Sequence, residues 1–169
     1  MIDANSLVTL LGKTSNDPNV KTVLETMGYK QPVALSSYDE PTTYATLPKH
    51  GIEFIFDDEA MVKELEYQEF GDGDLILTGI LLFNSPEDNK VFDGHLFDKV
   101  SLNSSRDEVI DIWGDPGNFD DFFNSEFWEK DTYRVAVDYS DDKTNISLIT
   151  LTCYPYEQAK EKGLYGFKD

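Results

Sequence analysis

The chain has 169 residues, 40% of them hydrophobic and 13% aromatic, with 33 acidic side chains against 14 basic ones and a formal net charge of −19. This balance excludes a protein that binds the phosphate backbone of nucleic acids, which needs a surplus of Lys and Arg, and it disfavours docking on an anionic membrane. The apolar content is enough to bury a core, so the sequence predicts a folded protein rather than an acidic disordered tail.

The cysteine content and the N-terminal residues predict where in the cell the protein is located. Cys153 is the single cysteine, so we expect neither an internal disulfide nor a thiol-rich metal site. The start lacks the basic region of a signal peptide, and no apolar run approaches the roughly 20 residues that span a bilayer. A soluble cytoplasmic protein is therefore predicted.

The first clear element is a helix that begins after Asp17, a suitable N-cap, with Pro18 in its first turn. Gly28 is placed to end it. Upstream leucines predict a short helix packed on this one. The apolar positions of the two helices are Leu7, Leu10, Leu11, Val20, Val23, Leu24 and Met27.

Strand patterns follow Pro32. In the clearest of them, Ile52, Phe54 and Phe56 alternate with polar neighbours and share one face. The predicted elements of this part are a strand led by Tyr44, a turn at 47–51, a strand at 52–56, a break at 69–74, a central strand at 75–83 and a polar loop at 84–90.

The second half repeats this order. Ser105 and Glu108 have the spacing of a capping box, and Gly114 is placed to end the helix. The expected apolar stripe of the helix is Val109, Ile112 and Trp113. The elements predicted after it are a strand at 122–128, an alternating strand at 133–139, a hairpin loop at 140–144, a final strand at 146–153 and a polar tail from Gln158.

Each half is thus a helix, a glycine stop and a meander of strands. Hairpin loops this short exclude parallel crossovers, which need a dozen or more connecting residues. We predict an α+β fold with helices packed on one face of antiparallel sheet. The expected units are residues 1–90 and 91–169, packed as one compact body, with either one continuous sheet or two.

The sequence offers little catalytic chemistry. His50 and His95 lie beside glycines in turn-like contexts, where a turn residue is a more frequent role than a catalytic base. Cys153 lies on an apolar strand, where a small buried side chain is expected rather than a reactive thiol. We predict no enzyme activity and no cofactor.

Acidic clusters are abundant, but none has the pattern of a metal site. Asp72 and Asp74 resemble the opening of a calcium loop, yet Leu77 stands where glycine is needed and Phe83 where the closing glutamate is needed. With 33 acids, any fold brings some carboxylates together, so a glycosidase-type pair cannot be singled out. No bound metal is predicted.

The segment 118–124 mixes three phenylalanines with two aspartates between a helix stop and a strand. Aromatic anchors beside charged groups are typical of protein-contact surfaces. A lid over the core is an equally good interpretation of the same segment.

Several segments carry a resemblance to known families. Those of the first half are Leu10–Lys13, Asn16–Val20, Gly51–Phe56 and Leu77–Phe83, and those of the second are Ser104–Val109, Trp113–Pro116 and Tyr133–Tyr139. The first set resembles bacterial immunity proteins encoded beside contact-dependent growth-inhibition or polymorphic toxins. The second resembles the repeats of β-lactamase-inhibitory protein and related outer-membrane assembly lipoproteins. The resemblance implies two β-lactamase-inhibitory-protein-like units in a protein that binds its cognate toxin and blocks its active site or substrate surface.

Charge and resemblance together predict an immunity protein that neutralises a cationic toxin in a one-to-one complex. We expect a nuclease, an RNase in particular, since carboxylates placed where phosphates lie give steering and complementarity. The expected contacts are acids in loops, with aromatic anchors: Asp57, Asp58, Glu59, Asp72, Asp74, Phe119, Asp120, Asp121, Phe122 and Phe123. Two alternatives stay open, a small carboxylate- or metal-dependent hydrolase and an acidic housekeeping binding module.

Overall fold

The computed structural model describes residues 2–120 and 125–168, with the backbone alone at 118–120. Within them the chain has the predicted α+β fold, with helices packed against an antiparallel sheet. The helices are α1 (Ala4–Val8), α2 (Pro18–Thr26), α3 (Glu59–Val62), α4 (Arg106–Trp113) and α5 (Tyr156–Glu161). The strands are β1 (Thr42–Leu47), β2 (Ile52–Asp58), β3 (Leu75–Ser85), β4 (Lys90–Val91), β5 (Asn118–Asp120), β6 (Ser125–Glu129), β7 (Arg134–Tyr139) and β8 (Ile146–Thr152).

The sheet consists of two meanders joined through their last strands. Its order is β1-β2-β3-β8-β7-β6-β5, and the two-residue β4 pairs with the end of β3. Across the joint, Ile80 is opposite Leu151 and Leu82 is opposite Ile149. The two halves therefore share one continuous sheet, which decides between the arrangements that the sequence left open.

One face of this sheet carries the core. Cross-strand neighbours form an apolar row across six strands, made of Ala45, Phe54, Ile80, Leu151, Val135 and Trp128. Helices α1, α2 and α4 add Ala4, Leu7, Val20, Leu24 and Val109 to the same cluster. Full burial of each large apolar side chain contributes about 1.5–3 kcal/mol, so this layer holds the fold together.

The helix ends follow the predicted capping chemistry. The Asp17 carboxylate accepts from the Asn19 amide at 2.8 Å. At α4 the Ser105 hydroxyl accepts from the Glu108 amide, and the Glu108 carboxylate accepts from the Ser105 amide. Gly28 and Gly114 have φ values of 87° and 82°, a left-handed conformation that costs glycine least. The predicted caps of α2 and α4 are confirmed.

Two predictions about element detail were wrong. In α4 the sheet-facing side is formed by Val109, Ile110 and Trp113, while Ile112 is 38% exposed, because at 100° per residue it points away from that side. The predicted loop at 84–90 is partly strand, since β3 continues to Ser85. The predicted final strand is confirmed as β8, and it lies between β3 and β7 in the sheet.

Candidate functional sites

Four of the predicted acids meet at one corner of the molecule, where β2 turns into α3 and the segment 69–74 returns to the sheet. The Glu59 amide donates to the Asp74 carbonyl at 2.9 Å, and Asp58 bonds to the backbone of Gly71. Asp72 and Asp74 are exposed at this corner. We call Glu59, Asp72 and Asp74 the acidic corner.

The expectation that Asp57, Asp58 and Glu59 are loop residues was wrong. Asp57 and Asp58 end β2, and Glu59 begins α3. Asp58 has no exposed surface, and its two carboxylate oxygens accept from the amides of Ala60 at 2.9 Å and Gly71 at 2.8 Å. Asp58 therefore caps α3 and ties the 69–74 segment to it, and its carboxylate does not face a partner.

Replacing Asp58 by asparagine is expected to lower the free energy of unfolding by about 2 kcal/mol, because the amide nitrogen faces a buried N–H donor that it cannot satisfy. Urea unfolding monitored by circular dichroism measures this. The matched control is Asp72→Asn, an exposed change at the same corner, with an expected effect within about 0.5 kcal/mol. Equal losses in the two variants contradict the capping role.

The Glu59 carboxylate has a partner within the chain. Lys63 donates to its carboxylate one turn along α3, and this hydrogen bond is the main cause that holds the pKa of Glu59 below its usual value. Asp57 lies apart, on the sheet face opposite the core, where it accepts from the Thr42 hydroxyl at 2.6 Å and from that of Thr78. Within the acidic corner, Asp72 and Asp74 are therefore more exposed than Glu59.

The second predicted group lies at the far edge of the sheet. Phe119 and Asp120 belong to β5, opposite Glu126 and Ser125 of β6. Asp121, Phe122 and Phe123 lie outside the described residues. Five strand spacings separate β5 from β2, or about 24 Å. The structure therefore does not bring the two predicted groups together.

A buried ionic cluster between α4 and β6 was not predicted. Arg106 donates through Nε and Nη2 to Glu126 Oε1 at 2.6 and 2.5 Å, and Glu126 is 2% exposed. Glu126 Oε2 and the Tyr139 hydroxyl are buried without a hydrogen-bond partner among the described residues. Burial, and then the charge of Glu126, raise the pKa of Tyr139. One sequence feature could have indicated this cluster: Glu126 lies two residues before Trp128, so the two side chains share the inward face of a strand.

His50 lies in a turn, as predicted, whereas Cys153 is half-buried against the core and not fully buried. His50 Nδ1 lies 3.1 Å from an Asp93 carboxylate oxygen in a partly exposed pair. The backbone of His95 bonds to residues of the N-terminal segment. Burial raises the pKa of Cys153 to about 12, which keeps its thiol protonated near neutral pH. In the described part of the chain no group of three or more His, Cys, Asp or Glu side chains is arranged to hold a metal ion.

Comparison with protein-family models, with curated proteins and with solved structures gave no match for this chain. Among the described residues, none of the helices is both long and apolar enough to cross a membrane.

Proposed function

We propose that this chain is a cytoplasmic immunity protein that binds and neutralises a cationic toxin, a nuclease, by occluding its active site or its nucleic-acid-binding surface. The complex is one-to-one, and the chain itself carries out no reaction. The observation that carries the proposal is the excess of fixed negative charge on a well-packed fold.

The excess cannot be neutralised within the molecule. With 33 acids and 14 Lys and Arg, at least 19 carboxylates have no one-to-one cationic partner. Two of the few cations are moreover committed to local pairs, Lys63 with Glu59 and Arg106 with Glu126. Holding like charges on one compact body costs stability through repulsion, and a basic partner relieves that cost.

A nuclease fits this charge because its substrate is a polyanion. Its cleft must be basic to hold phosphates, so an acidic inhibitor competes for the same groups. The backbone that carries Asp72 and Asp74 is fixed by the hydrogen bonds to Glu59 and Asp58, so no segment has to fold there on binding. Complementary charge also speeds encounter, which matters for an inhibitor that must act before the toxin reaches nucleic acid.

Co-expression with the C-terminal domain of the protein encoded by the adjacent open reading frame tests the proposal. We expect growth rescue, a one-to-one complex, loss of nuclease activity, and an association rate that falls about tenfold or more between roughly 0.05 and 0.5 M NaCl. Failure of the chain to rescue growth or to bind that domain overturns the proposal, as does an association rate that is insensitive to salt.

A matched pair of variants isolates the acidic corner within this experiment. Asp72→Lys with Asp74→Lys changes the charge as much as Asp107→Lys with Asp111→Lys, which lie on exposed positions of α4. A larger fall of the association rate for the corner pair supports the corner as a contact. Equal falls mean that only the overall charge matters, and the corner residues then lose their assigned role.

A further inference from the structure

The sheet has a second face, turned away from the core. Strand alternation places on it the residues that interleave with the buried row, because successive side chains point to opposite faces. The registers of the five central strand pairs align them across the sheet. We call this the open face, formed by Tyr44, Glu53, Ile55, Asp57, Leu81, Phe83, Leu148, Thr150, Arg134, Ala136, Asp138, Phe127 and Glu129.

Most side chains of the open face are partly buried, and Tyr44 is 53% exposed. Ile55 lies over Gly79, where an added Cβ would come 3.1 Å from its Cδ1, so the glycine lets this side chain lie flat on the strand. The face ends near Tyr154, which is 3% exposed and has the Lys162 ammonium 4.8 Å from its ring centroid. Between Ile55 and Phe127 the side chains are neither buried nor fully exposed, so part of each reaches the surface.

The open face has an apolar centre and an acidic border. Leu81, Thr150 and Ala136 are cross-strand neighbours at its middle, with Phe127 beside them. Four carboxylates border the centre, those of Glu53, Asp57, Glu129 and Asp138. The cations beside them are the Arg134 guanidinium and the Lys90 ammonium, which lies 5.4 Å from the ring centroid of Phe83. An apolar centre within a polar rim is the anatomy of protein-contact surfaces.

Neighbouring hydroxyls hold three of these carboxylates in place. Glu53 accepts from Thr46 at 2.5 Å, Asp57 accepts from Thr42 at 2.6 Å, and Asp138 accepts from Ser125. A carboxylate that is already oriented loses less side-chain entropy when a cation approaches it. The oriented carboxylates of the border therefore suit contacts with Lys or Arg side chains of a partner.

We propose that the open face is the docking surface for the toxin, and that it takes a basic protein surface with an apolar patch at its centre. This inference rests on the proposed function and assigns its contact region. A second copy of the chain is a poor occupant, because each copy carries a net charge of −19. Nucleic acid is disfavoured by the same charge.

Three variants test the open face in binding to a catalytically inactive form of the toxin domain from the neighbouring open reading frame. Thr150→Arg and Leu81→Arg put charge and bulk at the centre, and we expect each to weaken affinity about 100-fold or more, mainly through faster dissociation. The matched control is Ile112→Arg, which places the same charge on the exposed side of α4, across the sheet, and should change affinity by no more than about threefold. Thermal melts establish that each variant is folded.

The outcomes separate this inference from the proposed function. If the wild-type chain binds the toxin domain and folded Thr150→Arg binds it with the same affinity, the open face is not the docking surface, and the proposed function stands. If the wild-type chain does not bind the toxin domain, the proposed function is wrong. If the Arg variants at the centre unfold, Glu53→Arg at the border decides, with an expected loss of about tenfold. A wild-type dimer in sedimentation that Thr150→Arg dissociates overturns the assignment of a basic partner.

Discussion

Replacing Arg106 by methionine is expected to lower the free energy of unfolding by about 3 kcal/mol, because it leaves the Glu126 carboxylate buried without its counter-charge. Glu126 is 2% exposed, and both hydrogen bonds from Arg106 end on its Oε1 atom. Among the described residues no second cation pairs with Glu126, so no other charge takes over the role of the guanidinium. Urea unfolding at neutral pH measures the loss.

The two sides of this ion pair should respond unequally. The Arg106 side chain is 35% exposed and reaches water when its partner is neutral, so Glu126→Gln alone should cost only about 1 kcal/mol. The double variant should recover part of the loss caused by Arg106→Met. A loss below about 1 kcal/mol for Arg106→Met means that the buried carboxylate is tolerated without its partner, contrary to this account.

Replacing Trp128 by alanine is expected to cost about 4 kcal/mol, since it leaves a large cavity between β6 and α4. Trp128 is 4% exposed, meets Trp113 edge to face with ring centroids 5.4 Å apart, and donates from Nε1 to the Gly114 carbonyl at 3.0 Å. The same side chain therefore fills the core and fixes the end of α4. Urea unfolding gives the stability, and near-ultraviolet circular dichroism reports the loss of the tryptophan pair.

Trp128→Phe is the matched control. It keeps an aromatic ring in the core but removes the hydrogen bond to Gly114, and the expected cost is about 1–2 kcal/mol. If the two variants lose a similar free energy of unfolding, the hydrogen bond contributes more than the packing, and the cavity is not the main cause of the loss.

The sequence was sufficient for features that local chemistry decides. Caps such as Asp17 and Ser105 and the alternation of Ile52, Phe54 and Phe56 depend on neighbours within a few residues, so the helices and strands could be predicted from them. The two meanders follow from short loops for the same reason. The joint between Leu82 and Ile149 is not local, and no pattern within either half specifies that it forms.

The candidate sites were harder to predict from the sequence, because they too depend on contacts between distant residues. Asp58 reads as one loop acid among many, and only its contacts with Ala60 and Gly71 reveal a buried cap. The open face is likewise a product of the sheet order, which places residues such as Leu81 and Phe127 on one surface although they are far apart in the chain. Residue types at a given spacing cannot predict such a surface when the strands come from different halves.

The joint between the two meanders has a consequence for how the chain folds as it is synthesised. The N-terminal meander can form early, because its contacts are local, but β3 then has a largely unpaired edge around Ile80 and Leu82 until β8 leaves the ribosome. An apolar strand with a free edge can pair with another chain. Pairing of β8 with β3 therefore closes an apolar edge of the nascent protein, and folding of the two halves is coupled at that step.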